Sequence, residues 1–268
     1  MSNQVVLITG ASSGVGQATA RFLSQNGYKV FGTSRTPAAA GIPNVKMLAL
    51  DVMSDDSVAA CVKAVANDAG RVDVLVNNAA YELAGALEEI SIEEAKAQFE
   101  TNFFGVVRMV KAVLPYMRQQ KQGRIINISS LSGVSSIPFM GIYSASKFAL
   151  EGYTDALRME VRPFNIHVSL TEAGFLKTPM MNKRQVSAAQ LKEYDLRRQR
   201  AFTSIRDQEQ KAPGAELVSQ TIFRIITSKK PGLHYLIGTQ AKVAARLQRF
   251  LPEAAYEWGK RSTFKLDR

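Results

Sequence analysis

Short apolar runs rich in β-branched residues alternate with longer helical segments along most of the chain. The first run, "QVVLITG", stops at a glycine, and similar runs recur as far as "LHYLIG" near the C-terminus. Short, continuously apolar runs are typical of strands buried on both faces of a sheet. Strands that alternate with helices predict βαβ units, whose right-handed crossovers place helices on both faces. We therefore expect an α/β fold with about seven strands in a doubly wound parallel sheet.

Length and composition place few further limits on the chain. It has 268 residues without repeats or a Pro/Gly-rich linker, so we expect residues 1–268 to form a single domain. Cys61 is the only cysteine, which excludes an internal disulfide and fits a reducing compartment. No secretory signal is evident, and the apolar runs are shorter than the roughly 20 residues of a membrane span. We expect a soluble, cytoplasmic protein without membrane association.

The formal net charge of the chain is +11. A basic protein can bind nucleic acid or an anionic membrane. The Lys and Arg residues are nevertheless spread out, with moderate concentrations between Lys183 and Arg200 and in the C-terminal tail. We interpret them first as solvated faces and second as contacts for an anionic ligand, and we expect no nucleic-acid partner.

The segment "TGASSGVG" joins the first predicted strand to the first predicted helix. Glycines suit a turn that bends sharply, approaches a phosphate closely and packs the helix against the sheet. The helix N-terminus also offers free N–H groups and a positive dipole end to a pyrophosphate. The alternative is a glycine-rich turn without a ligand. The residues expected to contact a dinucleotide here are Gly10, Ser12, Ser13, Gly14, Val15 and Gly16.

The end of the second predicted strand selects between nicotinamide dinucleotides. An acid there would bind a ribose 2′-hydroxyl, whereas a basic residue favours a 2′-phosphate. The sequence reads "FGTSRTP", in which Ser34 can donate a hydrogen bond and Arg35 can fork onto a phosphate. We therefore predict NADP(H) rather than NAD(H). The alternative is an arginine that only faces solvent.

The third and fourth predicted strands end at the same edge of the sheet. In an open parallel sheet, the carboxyl ends of the strands line the ligand crevice. Asp51 and Val52 end the third strand, and Asp51 can accept a hydrogen bond from an adenine amino group. The fourth strand ends in "NNAA", so we also expect cofactor contacts at Asn78, Ala79 and Ala80. Asparagines here are also ordinary turn formers.

Together with motifs further along the chain, these features resemble the short-chain dehydrogenase/reductase family. The G-x-x-x-G-x-G turn, "NNAA", Asn102 in "TNFFG", Ser130 in "NISS" and the Tyr-x-x-x-Lys of "YSASK" occur in the family's order and spacing. The resemblance covers nearly the whole chain. It implies a Rossmann-type sheet with strand order 3-2-1-4-5-6-7 and an NADP-dependent alcohol dehydrogenase or ketoreductase. It is closest to the branch that acts on steroids, retinoids and related lipophilic carbonyls.

Tyr143 and Lys147 lie one turn apart on a predicted helix. Hydride transfer to a ketone develops negative charge on its oxygen, which must be stabilised and protonated. A nearby ammonium and an oxidised nicotinamide favour the phenolate, so we expect the pKa of Tyr143 to lie below its usual value of about 10. Tyr143 can then act as general acid and base, while Ser130 hydrogen-bonds the substrate oxygen.

The resemblance adds roles that these residue types alone do not show. It implies that Lys147 also holds the nicotinamide ribose and that Asn102 positions a water linking Lys147 to solvent. The structural alternatives are a turn cap at Ser130, a helix break at Asn102 and a surface aromatic at Tyr143. No metal is expected at this site.

Two positions depart from the family's usual pattern. Ala80 stands where a glycine is usual, and "EAG" at residues 172–174 stands where the family has Pro-Gly. Ala80 adds a methyl group beside the cofactor, and Ala173 loosens the turn before "FLKT". By resemblance, Leu176 and Thr178 make nicotinamide contacts in that segment. Neither departure removes a reacting group.

The segment after the sixth predicted strand carries substrate specificity in this family, so residues 180–212 are expected to form a substrate lid. An adaptable apolar wall is predicted from Met180, Met181, Tyr194 and Phe202, with additions from Phe139 and Met140. We therefore expect a fairly bulky, apolar ketone, aldehyde or secondary alcohol. The basic residues Lys183, Arg184, Arg197 and Arg198 are expected to face solvent, with recruitment of an anionic group as the alternative.

The C-terminal segment 239–268 is predicted to hold one amphipathic helix and a tail, which pack over the pocket or against a neighbouring subunit. By resemblance, the helices that carry Asn102 and Tyr143 form a helical bundle between subunits, so we expect a homodimer or homotetramer. A second class of function remains open, in which the protein is an NADP(H)-binding redox sensor without turnover. A hydrolytic role for Ser130 is disfavoured because it lies outside a G-x-S-x-G motif.

Overall fold

A seven-stranded parallel sheet forms the centre of the computed structural model, which describes residues 4–37 and 41–267. The strands are β1 (Val5–Ile8), β2 (Lys29–Ser34), β3 (Val45–Ala49), β4 (Val74–Asn77), β5 (Leu83–Ala84), β6 (Gly123–Ser130), β7 (Ile166–Ala173), β8 (Gln185–Val186) and β9 (His234–Ile237). The large sheet has the order β3-β2-β1-β4-β6-β7-β9, which confirms the predicted Rossmann-type topology. The short strands β5 and β8 pair in a second sheet that was not predicted.

Helices flank the sheet, and serine side chains cap the starts of some of them. They are α1 (Gly14–Gln25), α2 (Asp55–Ala69), α3 (Ile92–Phe99), α4 (Gly105–Gln120), α5 (Gly141–Val161), α6 (Lys192–Gln210), α7 (Glu216–Thr227), α8 (Thr239–Phe250) and α9 (Glu253–Thr263). At the start of α2, the Ser54 hydroxyl accepts a hydrogen bond from the Ser57 N–H at 3.2 Å. Gly70 ends α2 in the left-handed conformation that glycine adopts most readily.

The two faces of the sheet carry separate apolar cores. Along β1, Val5 and Leu7 point into one core, and Val6 and Ile8 point into the other, because successive side chains of a strand alternate between faces. Helices α2, α4 and α5 complete the first core, whereas α1 and α7 complete the second. This explains why the strands read as continuously apolar runs.

The C-terminal segment differs from the prediction. The expected single helix in segment 239–268 is two helices, interrupted at Pro252, whose ring cannot continue the hydrogen-bond ladder. Two further helical features add to what the sequence indicates: a π-helical turn, Glu100–Phe104, joins α3 to α4, and a short 3₁₀ turn, Pro179–Asn182, precedes β8 and α6 in the expected lid.

Within the part of the chain that the structure describes, no helix is both long and apolar enough to cross a membrane.

Candidate active site

The glycine turn between β1 and α1 is packed too closely to accept side chains. Gly10 and Gly14 adopt positive φ angles of 67° and 57°. A Cβ on Gly16 would lie 2.4 Å from the Gly10 carbonyl oxygen and 2.5 Å from Nδ2 of Asn78. The turn therefore holds the helix N-terminus against the carboxyl edge of the sheet, which is the arrangement that binds pyrophosphate in dinucleotide folds.

The start of α1 leaves its first N–H groups available to a ligand. Ser13 stands at the N-cap in an extended conformation, and its side chain makes no capping hydrogen bond. The side chain of Thr178 lies near this turn, because a Cβ added to Gly14 would be 3.9 Å from the Cβ of Thr178. Leu176 packs with Val15 against the core beneath α1. The segment after β7 therefore reaches the glycine turn, as the predicted contacts of Leu176 and Thr178 require.

Asn78 positions the glycine turn from the neighbouring strand. Its Nδ2 donates hydrogen bonds to the carbonyl oxygens of Thr9 at 2.9 Å and Gly10 at 3.0 Å. The N–H groups of Asn78 and Ala79 both donate to the Thr9 hydroxyl. The Asn78 side chain thus ties the end of β4 to the turn after β1, and Ala80 follows directly in the partly exposed crevice.

The ends of β2 and β3 place the remaining predicted cofactor residues along the same edge. Ser34 is buried, and its hydroxyl accepts a hydrogen bond from Thr36, which leaves the hydroxyl proton free to donate. Arg35 is exposed and forms no ion pair with any residue that the structure describes. Asp51 accepts from the backbone of Met53 at 3.0 Å, and Val52 packs beside it in the core.

Tyr143, Lys147 and Ser130 come together at the junction of β6 and α5. Lys147 lies four residues after Tyr143 on α5, and its Nζ is 5.8 Å from the centre of the Tyr143 ring. The same Nζ donates to the Ile128 carbonyl oxygen at 2.8 Å, which anchors it to β6. Ser130 ends β6, interacts with the Tyr143 phenol, and accepts a hydrogen bond from Ser132 at 3.1 Å. Ser130 thus also caps a turn.

Asn102 is buried within the π-helical turn between α3 and α4. Its side chain accepts a hydrogen bond from the Tyr81 N–H at 3.1 Å and donates to the Tyr81 carbonyl at 3.0 Å. It also donates to the Ser146 hydroxyl at 3.3 Å, and Ser146 in turn donates to the Tyr143 carbonyl at 2.7 Å. Asn102 is therefore connected through Ser146 to the helix that carries Tyr143 and Lys147. Single-turn π-helices are frequent at functional sites.

The surroundings of the Tyr143 phenol act on its pKa in opposing directions. Burial raises the pKa of the phenol above its usual value, the charge of Glu82 raises it further, and the interaction with Ser130 acts in the lowering direction. Burial lowers the pKa of Lys147 to about 8, against the opposing charges of Glu151 and Glu82. Burial of the phenol therefore acts against the expected lowering of the Tyr143 pKa, which rests on an oxidised nicotinamide beside the phenol as well as on the ammonium.

Two of the basic residues expected to face solvent are instead buried in ion pairs. Arg184 bridges Glu82, at 2.8 Å, and Glu209, at 2.5 Å. Arg198 pairs with Glu89 and with Asp195. Asp195 lies one helical turn before Arg198, but Glu82 and Glu89 lie about a hundred residues away in sequence from the arginines they bind, so helical or strand periodicity does not reveal those two pairs. Lys183 and Arg197 are exposed, as predicted.

Behind Lys147, one turn further along α5, lies a second polar cluster that was not predicted. Glu151 accepts a hydrogen bond from Ser129, and Glu172 accepts from or donates to Nδ1 of His234 at 2.9 Å, depending on protonation. Burial raises the pKa of Glu151 to about 8, and the neighbouring carboxylate of Glu172 adds to this effect. Glu172, which directly precedes Ala173 of the unusual "EAG" segment, is a buried acid near the end of β7.

Apolar side chains from the lid and the C-terminal tail surround Tyr143. The cluster that contains Tyr143 comprises Ala84, Ile137, Met140, Ile205 and Phe264, with Phe175, Phe202 and Leu266 packed against it. The Phe139 ring lies 6.4 Å from that of Tyr194 and 6.3 Å from that of Phe202, so three of the residues expected in the apolar wall lie together. The tail is held over the site because the Ser204 hydroxyl donates to the Thr263 carbonyl at 2.7 Å.

Comparison with known proteins assigns the chain to a family. A family model described as short chain dehydrogenase matches residues 4–188, so the chain belongs to the short-chain dehydrogenase/reductase family. It is 42% identical to 3-ketodihydrosphingosine reductase of Bacteroides thetaiotaomicron over 97% of this chain and 98% of that protein.

Two further matches bear on the branch and the fold. The chain is 43% identical to human retinol dehydrogenase 8 over 70% of this chain and 64% of that protein, which agrees with the predicted steroid and retinoid branch. The solved structure of ElxO with NADP bound matches the fold of this chain with a TM-score of 0.75 and a sequence identity of 26%. The match covers 90% of this chain and 100% of that chain.

Proposed function

We propose that this protein is an NADP(H)-dependent oxidoreductase that transfers a hydride between nicotinamide and a fairly bulky, apolar ketone, aldehyde or secondary alcohol. The observation that carries the proposal is the placement of Tyr143, Lys147 and Ser130 together at the carboxyl edge of the sheet that also holds the glycine turn. Tyr143 is the general acid and base of the reaction.

Several residues fit the dinucleotide. The bare backbone around Gly16, where a Cβ would collide, and the uncapped start of α1 would receive the pyrophosphate. Arg35 and Ser34 would bind a 2′-phosphate. Arg35 forms no ion pair with a described residue, and the Ser34 hydroxyl has a proton free to donate. The NADP held by the related ElxO supports the same choice here. When bound, the reduced cofactor supplies the hydride and is oxidised to NADP⁺.

In the reducing direction, Tyr143 and Ser130 protonate and stabilise the carbonyl oxygen of the substrate. Its carbon accepts the hydride, the C=O double bond becomes a single bond, and the O–H bond of Tyr143 breaks to deliver a proton to the oxygen. The product is a secondary alcohol, or a primary alcohol from an aldehyde. Ser130 donates a hydrogen bond to the developing oxyanion. Lys147 stabilises the tyrosinate that remains, and Asn102 holds the helix in place through Ser146.

A direct test measures NADPH absorbance with the purified protein and a panel of lipophilic ketones. We expect consumption of NADPH with bulky apolar ketones and little with acetone, because the Tyr143 cluster is apolar and extended. Tight NADPH binding with steady absorbance across a broad panel would instead favour the redox-sensor alternative. The complete set of Tyr143, Lys147, Ser130 and Asn102 argues against a sensor, which needs no proton donor.

The cofactor preference rests on Arg35 and is tested separately. We expect wild-type protein to use NADPH with a higher kcat/KM than NADH, and Arg35→Asp to reverse that preference, because an acid binds the ribose 2′-hydroxyl and repels the phosphate. Exposed Arg197→Asp, on the lid helix, serves as a matched control. A wild-type preference for NADH would show that the assignment of Arg35 is wrong.

We also propose that the active form is a dimer or tetramer of this chain. Phe104, which ends the π-helical turn before α4, and Phe148 and Met159, on α5, are exposed. Phe148, Gly152 and Met159 share one side of α5, since they follow helical spacing, and Gly152 leaves open space there. A second copy that covers this stripe would remove it from water.

A further inference from the structure

A buried group of three charged side chains lies beside the proposed catalytic tyrosine. Glu82 directly precedes β5, Arg184 directly precedes β8, and Glu209 lies at the end of α6. The pairing of β5 with β8 brings the first two together, and the Arg184 guanidinium contacts both carboxylates. Only 8% of the Glu209 side chain and 14% of the Glu82 side chain are exposed.

The charges within this group do not balance. Among the described residues, Arg184 alone forms ion pairs with the two carboxylates, and the exposed Arg206 attracts Glu209 only through a solvent-screened interaction. Oε2 of Glu209 is buried without a hydrogen-bond partner among the residues that the structure describes. A buried carboxylate oxygen without a partner is costly, and a cation or a strong donor would relieve that cost. Burial accordingly raises the pKa of Glu209.

The group acts on the place where the substrate carbonyl must lie. Glu82, Arg184 and Glu209 all influence the Tyr143 phenol electrostatically, and Glu82 also influences Lys147. Ala84 and Ile205 lie in the same apolar cluster as Tyr143. Glu82 stands two residues before Ala84, and Glu209 stands one helical turn after Ile205, so a carbonyl oxygen that receives the Tyr143 proton lies near this group. Substrate groups within a few bonds of that carbonyl face the excess negative charge of the two carboxylates. A longer apolar part of the substrate enters the cluster of Phe202, Ile205 and Phe264.

We propose that Glu82 and Glu209, oriented by Arg184, recognise an ammonium group on the carbon next to the substrate carbonyl, so that the preferred substrate is a long-chain 2-amino ketone. This inference rests on the proposed function. The Bacteroides relative is named for 3-ketodihydrosphingosine, whose amino group lies beside its ketone on a long alkyl chain. A neutral steroid or retinoid carbonyl would fill the apolar cluster but leave the Glu209 oxygen without a partner.

Wild-type protein provides the first test, through NADPH consumption with three ketones of equal chain length. They are a long-chain 2-amino-3-ketone, its N-acetyl derivative and the 3-ketone without the amino group. We expect kcat/KM for the amino ketone to exceed that for the other two by at least about tenfold, because a site built for a buried charge rejects analogues that lack it. Equal values would overturn the inference but leave the proposed function intact. No consumption with any ketone would overturn both.

A variant then locates the recognition. Glu209→Gln keeps the shape of the side chain but removes its charge, so the ratio of kcat/KM for the amino ketone over the deamino ketone should fall about tenfold or more. The exposed Glu193→Gln on the same helix should keep the wild-type ratio. If Glu209→Gln lowers both kcat/KM values equally, Glu209 is only structural and the inference is wrong. Because the readout is a ratio between substrates, partial loss of folded protein does not imitate the expected result.

Discussion

At the scale of single residues, two influences act on the Tyr143 phenol in opposite directions. Burial and the nearby carboxylates raise its pKa, whereas Ser130 and Arg184 lower it, and burial prevails. A phenol that keeps its proton at neutral pH is in the protonation state that the reduction of a carbonyl requires. Burial shifts the pKa of Lys147 in the opposite direction and lowers it to about 8.

This tuning predicts the pH dependence of ketone reduction. Lys147 is charged below its pKa of about 8 and neutral above it, and a neutral amine no longer stabilises the tyrosinate that proton donation leaves. We therefore expect kcat/KM for reduction to fall as pH rises through about 8. Measuring kcat/KM for reduction from about pH 6 to about pH 10 checks this expected fall, because lysine and tyrosine side chains titrate roughly within that range. A flat profile through pH 10, about the ordinary pKa of a lysine, would contradict it.

Gly16 provides a second prediction at this scale. Gly16→Ala places a methyl group 2.4 Å from the Gly10 carbonyl and 2.5 Å from Asn78 Nδ2, and both are held by hydrogen bonds. The turn must then shift, so we expect NADPH affinity to fall about tenfold or more. Gly259→Ala in α9 is the control, because nothing lies within 4 Å of its added Cβ. Unchanged NADPH affinity in Gly16→Ala, measured by fluorescence titration, would refute the close-packed turn.

At the scale of elements, the C-terminal helix α9 links the tail to the catalytic cluster. Its Tyr256 donates to Ser135, and Lys260 Nζ donates to Ser136 at 3.1 Å, which hold α9 beside the loop before α5. Phe264, just beyond α9, is buried in the same cluster as Tyr143. This contact supports the expectation that the tail packs over the pocket.

The position of Phe264 predicts a selective kinetic effect. Phe264→Ala removes part of the apolar wall, so KM for long-chain ketones should rise several-fold, while KM for short ones should change little, since about 25 cal/mol is lost per Å² of apolar contact. The exposed Trp258→Ala on α9 is the matched control. Steady-state kinetics with ketones of increasing length checks this, and an equal effect at every length would speak against a role for Phe264 in binding.

The elements also show what sequence can and cannot predict. The parallel sheet follows from βαβ alternation, its strand order from the family resemblance, and the glycine turn and Tyr143 with Lys147 from local spacing. The pairing of β5 with β8 does not, because two-residue strands carry no periodic signal. Arg184 meets Glu82 across 102 residues of sequence, so its burial depends on that unforeseen pairing. The effect of burial on the Tyr143 pKa is hidden for a related reason, since burial is a property of the assembled site.

At the scale of the whole molecule, the exposed stripe on α5 predicts the oligomeric state. Phe148→Asp places a charge in the proposed interface between copies, so we expect it to shift the protein toward the monomer in analytical ultracentrifugation. Leu196→Asp, which also replaces an exposed apolar side chain but lies on α6, should leave the assembly unchanged. A wild-type protein that sediments as a monomer at micromolar concentration would contradict the proposed assembly.

The central claim is that Tyr143 donates the proton that accompanies hydride transfer, and the most direct measurement uses Tyr143→Phe. This substitution removes one hydroxyl from a buried ring and leaves the apolar cluster and the glycine turn in place. We expect NADPH to bind with nearly wild-type affinity in a fluorescence titration, while its consumption with a ketone that the wild type reduces falls by at least about a thousandfold. Turnover near the wild-type rate in Tyr143→Phe would contradict the mechanism.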